Sequence, residues 1–123
     1  MPSQSHSLEE LMALVRQFVE ERDWTKYHRP SSLAISAAVE VGELLELFQW
    51  RTDEDVEAAL KKEEYRVALA DEIADVMIYL LRLCDTLGIS PSTAVMDKIT
   101  KNARKYPASE SRGKDPRRIK KFV

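Results

Sequence analysis

SSLAISAAVEVGELLELFQW, residues 31–50, is apolar on almost every side when wound as a helix, yet it carries carboxylates at Glu40 and Glu43. The 3.6-residue period puts Ser36, Glu40, Glu43 and Leu47 on one stripe and Val41, Leu44, Leu45 and Phe48 on the other. Residues three apart on a helix have Cβ atoms roughly 5–6 Å apart, so both acids can face one point, where at neutral pH they repel. A helix that needs burial therefore carries a charge pair that resists it. A positive partner is expected.

The same anomaly recurs downstream. EEYRVALADEIADVMIYLLRLCDTLG, residues 63–88, places Ala68, Glu72, Asp75, Tyr79 and Arg82 on one continuous stripe, with Ile73, Val76, Met77, Leu80 and Cys84 opposite. Packed antiparallel, the two helices bring Glu40, Glu43, Glu72 and Asp75 together. Such a cluster costs several kcal/mol in desolvation and repulsion, on the order of the penalty for any unpaired buried charge, unless cations occupy it. All four donors are hard oxygens and no histidine stands at helical spacing from them, a set that favours Mg²⁺ or Mn²⁺. A di-iron bundle wants Glu-x-x-His pairs, whereas His6 and His28 both lie outside the long helices. Magnesium shares its shell with water and substrate phosphates, so an open all-carboxylate site suggests phosphoryl chemistry. Taken alone, either acid pair is most simply a solvated helix face; taken together, within otherwise apolar segments, they favour a metal site.

The remaining elements follow from caps and periodicity. Ser7 with Glu9 and Glu10 starts a helix at Leu8, whose apolar stripe runs through Leu11, Met12, Val15, Phe18 and Val19 with Arg16, Glu20 and Arg22 outside. DWTKYHRPSS is a loop rich in ligand-contacting groups, in which Trp24 is by default a packing residue and His28 a loop histidine with a backbone partner. Trp50 is likewise a packing residue by default. Gly42, costly inside a helix by about 1 kcal/mol relative to alanine, predicts a close approach to its backbone. Thr52 caps a short helix from Asp53 to Leu60, and Gly88 closes the long one. Ser90 and Pro91 open a last helix that runs to Tyr106. Lys98, Lys101, Arg104 and Lys105 read first as its solvated face.

No alternating strand pattern lies between turn signals, so the 123 residues predict an all-α, four- or five-helix bundle. Residues 1–7 are expected to be flexible, 8–106 to form the helical domain and 107–123 to be a mobile basic tail. A formal net charge of -2 gives no general affinity for nucleic acid. No apolar run reaches the roughly 18–20 residues of a membrane span. The single cysteine, Cys84, reads as a core residue of a chain in a reducing, cytoplasmic compartment.

EVGE at 40–43 and DEIAD at 71–75 resemble the ExxE…ExxD signature of the MazG-like all-α nucleoside triphosphate pyrophosphohydrolases. ERDWTKYHRP and VGELLELFQW resemble the branch that contains the dCTP pyrophosphatases, and the likeness extends from about Leu8 to Pro107. It implies a homodimer or homotetramer, with Mg²⁺ held by Glu40, Glu43, Glu72 and Asp75, that cleaves a nucleoside triphosphate between the α and β phosphates. It implies also that Trp24, His28, Trp50 and Tyr79 line the base and sugar pocket, while Lys98, Asn102 and Lys105 reach phosphates. Vertebrate members of the branch carry a histidine nine residues before the RDW tryptophan. Val15 stands there in this chain, which opens the choice of base: dCTP or a modified dCTP leads, with dUTP and phosphoribosyl-ATP as alternatives. From a different class, a non-catalytic helical interaction module would use the same acids as interhelical ion-pair partners.

Overall fold

The computed structural model describes residues 5–115 and 117, and among these every regular element is helical. The α-helices are α1 (Leu8–Glu21), α2 (Pro30–Glu46), α3 (Asp53–Ala59), α4 (Glu63–Leu87), α5 (Pro91–Lys105) and α6 (Ala108–Ser111), with a 3₁₀ turn at Thr25–Tyr27 between the first two. The all-α expectation holds. The expectation of flexible ends falls partly on residues 1–4, 116 and 118–123, which lie outside the described residues.

Local chemistry explains most boundaries. Ser7 Oγ accepts from the Glu10 amide at 3.1 Å while Glu10 reaches back to the Ser7 amide at 3.2 Å, a reciprocal cap for α1. Thr52 and Asp55 repeat the device for α3 at 3.1 and 2.9 Å. The long helix α4 ends where Gly88 takes φ +67°, the amide of Ile89 bonding the Cys84 carbonyl and that of Gly88 the Asp85 carbonyl. This closure needs a left-handed residue, which glycine adopts without Cβ strain. Pro91 sits at the first position of α5, as expected from the missing amide proton. Long-range chemistry adds a second cap there: Glu9 of α1 accepts from the Ser92 amide at 2.8 Å and the Ser92 hydroxyl at 2.6 Å. An anion at a helix N-terminus meets unsatisfied amides, so this contact fastens α5 to α1.

Two boundaries differ from the sequence reading. α2 stops at Glu46 and does not continue to Trp50: the Leu44 carbonyl takes the Leu47 amide and the Leu45 carbonyl the amides of Phe48 and Gln49 in a tightened last turn, and the Leu47 carbonyl is taken by donors from elsewhere. Tyr65 Oη on α4 donates to the Leu47 carbonyl at 2.6 Å, and the Arg51 guanidinium donates to the same oxygen while lying 4.8 Å over the Tyr65 ring. The chain then leaves the helix, and Trp50 takes φ +65°. Beyond Pro107, where no helix was expected, Ala108–Ser111 makes a single turn held by Pro107 and Ala108 carbonyls.

The spine is the pair α2 and α4. His28 just before α2 meets Arg82, Glu40 meets Glu72, and Leu47 just after it meets Tyr65, so the two run antiparallel. α1 lies against α4, and α5 against α1. Within this arrangement the faces are inverted relative to a simple amphipathic helix. Leu33 and Ala37 are buried and Glu40 half-buried toward α4, whereas Ile35, Val39, Val41 and Leu45 of α2 and Phe48 just after it are exposed. On α4, Ile73, Met77 and Leu80 are exposed as well, and Cys84 is only half-buried. Within one protomer the acid stripes turn toward the α2–α4 seam, with Glu40, Glu72 and Asp75 half-buried and Glu43 exposed, and much of the apolar stripes is left outside. A groove of about 400 Å³ lined by Leu8, Leu80, Leu87 and Val95 is one such uncovered surface. No helix among the described residues is long and apolar enough to cross a membrane.

The close approach expected at Gly42 is absent: a Cβ built there meets nothing within 4 Å. Gly42→Ala is therefore expected to stabilise the chain by about 0.5–1 kcal/mol through helix propensity alone. Thermal melts of the two proteins check this. A lower melting temperature would show that a second chain approaches the helix at that point.

Candidate metal and nucleotide site

Glu40 and Glu43, one turn apart on α2, face Glu72 on α4, and a carboxylate oxygen of each lies within 4.8 Å of the other two. Glu40 Oε2 and Glu72 Oε2 are buried and accept no hydrogen bond. Among the described residues no lysine or arginine forms an ion pair with any of the three or with Asp75. Asp75 stands outside the tight trio, but its charge acts on both Glu40 and Glu72.

The electrostatics record this crowding. Hydrogen bonding to Glu43, then burial, then the charges of Glu43, Asp75 and Glu72 push the Glu40 carboxyl up to about 7. A carboxylate has no hydrogen to donate, so the Glu40–Glu43 contact becomes a bond only when a proton sits between them. Glu72 is raised too, chiefly by burial and then by Glu43 and Asp75. Buried acceptors without donors, all hard oxygens and all mutually repelling, are the environment a divalent cation satisfies. The residues present fit divalent-metal use.

One turn further along the α4 stripe, Tyr79 and Arg82 join Val15, Phe18 and Val19 of α1, Trp24, His28 and Ile78 around a cavity of about 90 Å³. Trp24 packs edge-on to Phe18, the ring centroids 5.9 Å apart. Three of the residues expected to contact a nucleotide, Trp24, His28 and Tyr79, thus share one cavity with Val15. The fourth, Trp50, is 92% exposed and lines neither this cavity nor the core, so its default reading as a packing residue does not hold within one chain. Lys98 and Asn102 are exposed on α5, and Lys105 is half-buried with Nζ 5.5 Å from the Tyr106 ring.

His28 departs from expectation in its partner, which is the Arg82 side chain and not a backbone group. Arg82 Nε donates to His28 Nδ1 at 3.1 Å, and Arg82 Nη1 donates to Asp85 Oδ2 at 2.7 Å. Arg16 of α1 then grips both Asp85 oxygens, at 2.7 and 2.6 Å. The Arg16 guanidinium, foremost, holds the Asp85 carboxyl below its ordinary range. Sequence reasoning set Arg16 among outward residues and gave Asp85 no role. The available signal was the spacing of three from Tyr79 to Arg82 and again to Asp85, which continues the acid stripe.

An antiparallel helix pair with an acid pair on each member is the arrangement expected from the resemblance to the MazG-like all-α proteins. The MazG-like family model matches residues 35–116, and the chain belongs to this family. It is 39% identical over 111 residues to dCTP pyrophosphatase 1 of Bos taurus, a match covering 90% of this chain and 66% of that protein. The corresponding human protein is 40% identical over 106 residues, covering 86% and 62%. The chain thus spans about two thirds or less of the length of these relatives. A crystal structure of a pyrophosphatase from Archaeoglobus fulgidus superposes with a TM-score of 0.74 at 45% identity, over 87% of this chain and 98% of that one.

Proposed function

We propose that this chain is a Mg²⁺-dependent nucleoside triphosphate pyrophosphohydrolase of the cytoplasm, acting on dCTP or a modified dCTP and releasing the monophosphate and pyrophosphate. The observation that carries this reading is the pair of buried, unpartnered oxygens on Glu40 and Glu72 beside a cavity walled by Trp24, His28 and Tyr79. Glu40, Glu43, Glu72 and Asp75 would hold the cation, with Mn²⁺ as a substitute. Such an ion supplies Lewis acidity and offsets the charge of the triphosphate. Within the acid cluster, a carboxylate beside the cation would take the proton of the attacking water. Trp24 offers a face for stacking the base; Lys98, Asn102 and Lys105 would reach the phosphates, the two lysines offsetting their charge and Asn102 donating a hydrogen bond.

Assembly belongs to the same reading. Trp50 and the α5 cations are not among the residues lining the cavity, and both spine helices leave apolar stripes uncovered. A homodimer or homotetramer would cover those stripes. Gel filtration with light scattering is expected to show one of these species; a stable monomer would contradict it.

Incubation with a panel of nucleoside triphosphates and Mg²⁺ tests the chemistry. Monophosphate plus pyrophosphate is the expected product pair, and orthophosphate with a diphosphate would overturn the bond assignment. A second reading is dUTP: the cavity wall at Val15 is apolar and supplies no hydrogen bond that selects cytosine over uracil. Comparison of kcat/KM for dCTP and dUTP decides between them. Trp24→Ala is expected to raise KM for the better substrate about tenfold, since stacking on an aromatic ring contributes roughly 1–3 kcal/mol per base. An unchanged KM would remove Trp24 from the pocket.

A further inference from the structure

The Arg16–Asp85–Arg82 ion pairs fasten α1 to α4, but neither that role nor the acid cluster accounts for the last link, from Arg82 to His28. Arg82 is buried, 6% exposed, although a guanidinium is among the costliest groups to desolvate. It reaches the cavity wall from α4, and Asp85 neutralises it from one side, held in turn by Arg16 across the helix interface. The far end of the relay is the imidazole. A guanidinium nitrogen has hydrogens and no free lone pair, so in the Arg82 Nε to His28 Nδ1 bond the imidazole must accept. A neutral ring that accepts at Nδ1 carries its proton at Nε2.

We propose that Arg82 is a positioning residue for nucleotide recognition: clamped by Asp85 and Arg16, it locks His28 as the neutral Nε2–H tautomer and so makes it a fixed hydrogen-bond donor for an acceptor on the base. The proposal rests on the reading of this cavity as the base site. The ring is also held below the ordinary imidazole range, by burial first and then by the Arg82 charge. The titratable groups around His28 are Arg82 and Tyr79 from α4, with Asp85 and Arg16 standing behind Arg82. Of these, Arg82 is the one whose charge bears on the ring. A donor locked in this way favours a ring nitrogen or carbonyl that accepts.

The test needs no substrate for its first part. Long-range ¹H–¹⁵N spectra of the full chain are expected to show His28 as a single Nε2–H tautomer at neutral pH, titrating below the ordinary imidazole range. Protonation at Nδ1 in the neutral ring would overturn the proposal outright, and this arm requires no variant that folds. In Arg82→Met the tautomers should mix and the titration point rise, with KM for the preferred triphosphate up about tenfold and kcat within about twofold, in line with the usual cost of losing an orienting partner. Arg82→Lys keeps the charge but not the planar fork. It should recover the low titration point and not the KM. An unmoved His28 in Arg82→Met, or a KM fully restored by lysine, would overturn the positioning role. Absence of any triphosphate turnover in the wild type would defeat the base-site reading instead, while the tautomer result would still decide whether Arg82 sets the imidazole.

Discussion

Glu72→Gln is expected to abolish triphosphate turnover, by about 10³-fold or more in kcat, and at the same time to raise the melting temperature of the metal-free protein. The two effects have one cause. In the absence of a cation Glu72 is a buried carboxylate beside Glu43 and Asp75, without a donor on Oε2. Glutamine removes the charge and brings a donor that Glu40 or Glu43 can accept, relieving repulsion where the cation is missing. With Mg²⁺ present the order should reverse, the wild type gaining stability by ligand binding and the variant gaining less. Melting curves with and without Mg²⁺, alongside turnover, provide the check. A residue with a purely structural ion-pair role predicts loss of stability on substitution in both conditions.

The pH dependence of the metal-free protein follows from the same cluster. The Glu40 carboxyl is raised from its ordinary 4.5 to about 7. A raised folded value means that the folded state holds the proton more tightly than the unfolded chain. The Glu40 contribution is fully present below about pH 4.5 and is lost as pH rises through about 7. The difference in melting temperature between wild type and Glu40→Gln should therefore widen between those values. It should close again when Mg²⁺ displaces the proton.

Asp85→Ala carries the largest expected loss of stability, about 3 kcal/mol, the usual cost of breaking a buried pair by removing one partner. Arg82, 7% exposed at its side chain, would be left buried with His28 as its remaining acceptor, and Arg16 would lose both of its bonds across the α1–α4 interface. For a chain of this size that corresponds to a fall of about 10 °C in melting temperature. The sign of the acid dependence is opposite to that of Glu40. Asp85 is depressed by Arg16 first, so its contribution is present above the ordinary aspartate value and is lost as pH falls through the lowered one. Double-mutant melts of Asp85→Ala with Arg16→Ala should be strongly non-additive. Additive losses would show that the two side chains are not coupled.

The acid pairs were legible in the sequence because they depend on local geometry alone. Helical spacing puts Glu40 beside Glu43 and places Glu72 on the inner stripe of α4, and the surrounding apolar residues mark both segments as buried somewhere. Capping residues were legible for the same reason, as at Ser7, Thr52, Gly88 and Ser90. The features that were not legible depend on groups distant in the chain. The turn that follows α2 is pinned by Tyr65, eighteen residues beyond Leu47, whose hydroxyl donates to the Leu47 carbonyl. Glu9 looked like a first-turn acid of its own helix, and only the packing of α5 shows that it caps another. Arg16 looked like a solvated residue until Asp85 was placed opposite it. The exposure of the opposite, apolar stripes is a tertiary outcome that amphipathicity does not encode for helices apolar on most sides.

The central claim is that the Glu40–Glu43–Glu72 cluster, with Asp75 behind it, is a divalent-cation site. Calorimetric titration of Mg²⁺ into the metal-free protein near pH 7, repeated in buffers of different ionisation enthalpy, tests it most directly. The account predicts saturable binding accompanied by proton release, because Glu40 is partly protonated at that pH, and loss of both signals in the Glu40→Gln, Glu72→Gln double variant. Binding of equal strength in that variant, or no binding by the wild type, would contradict it.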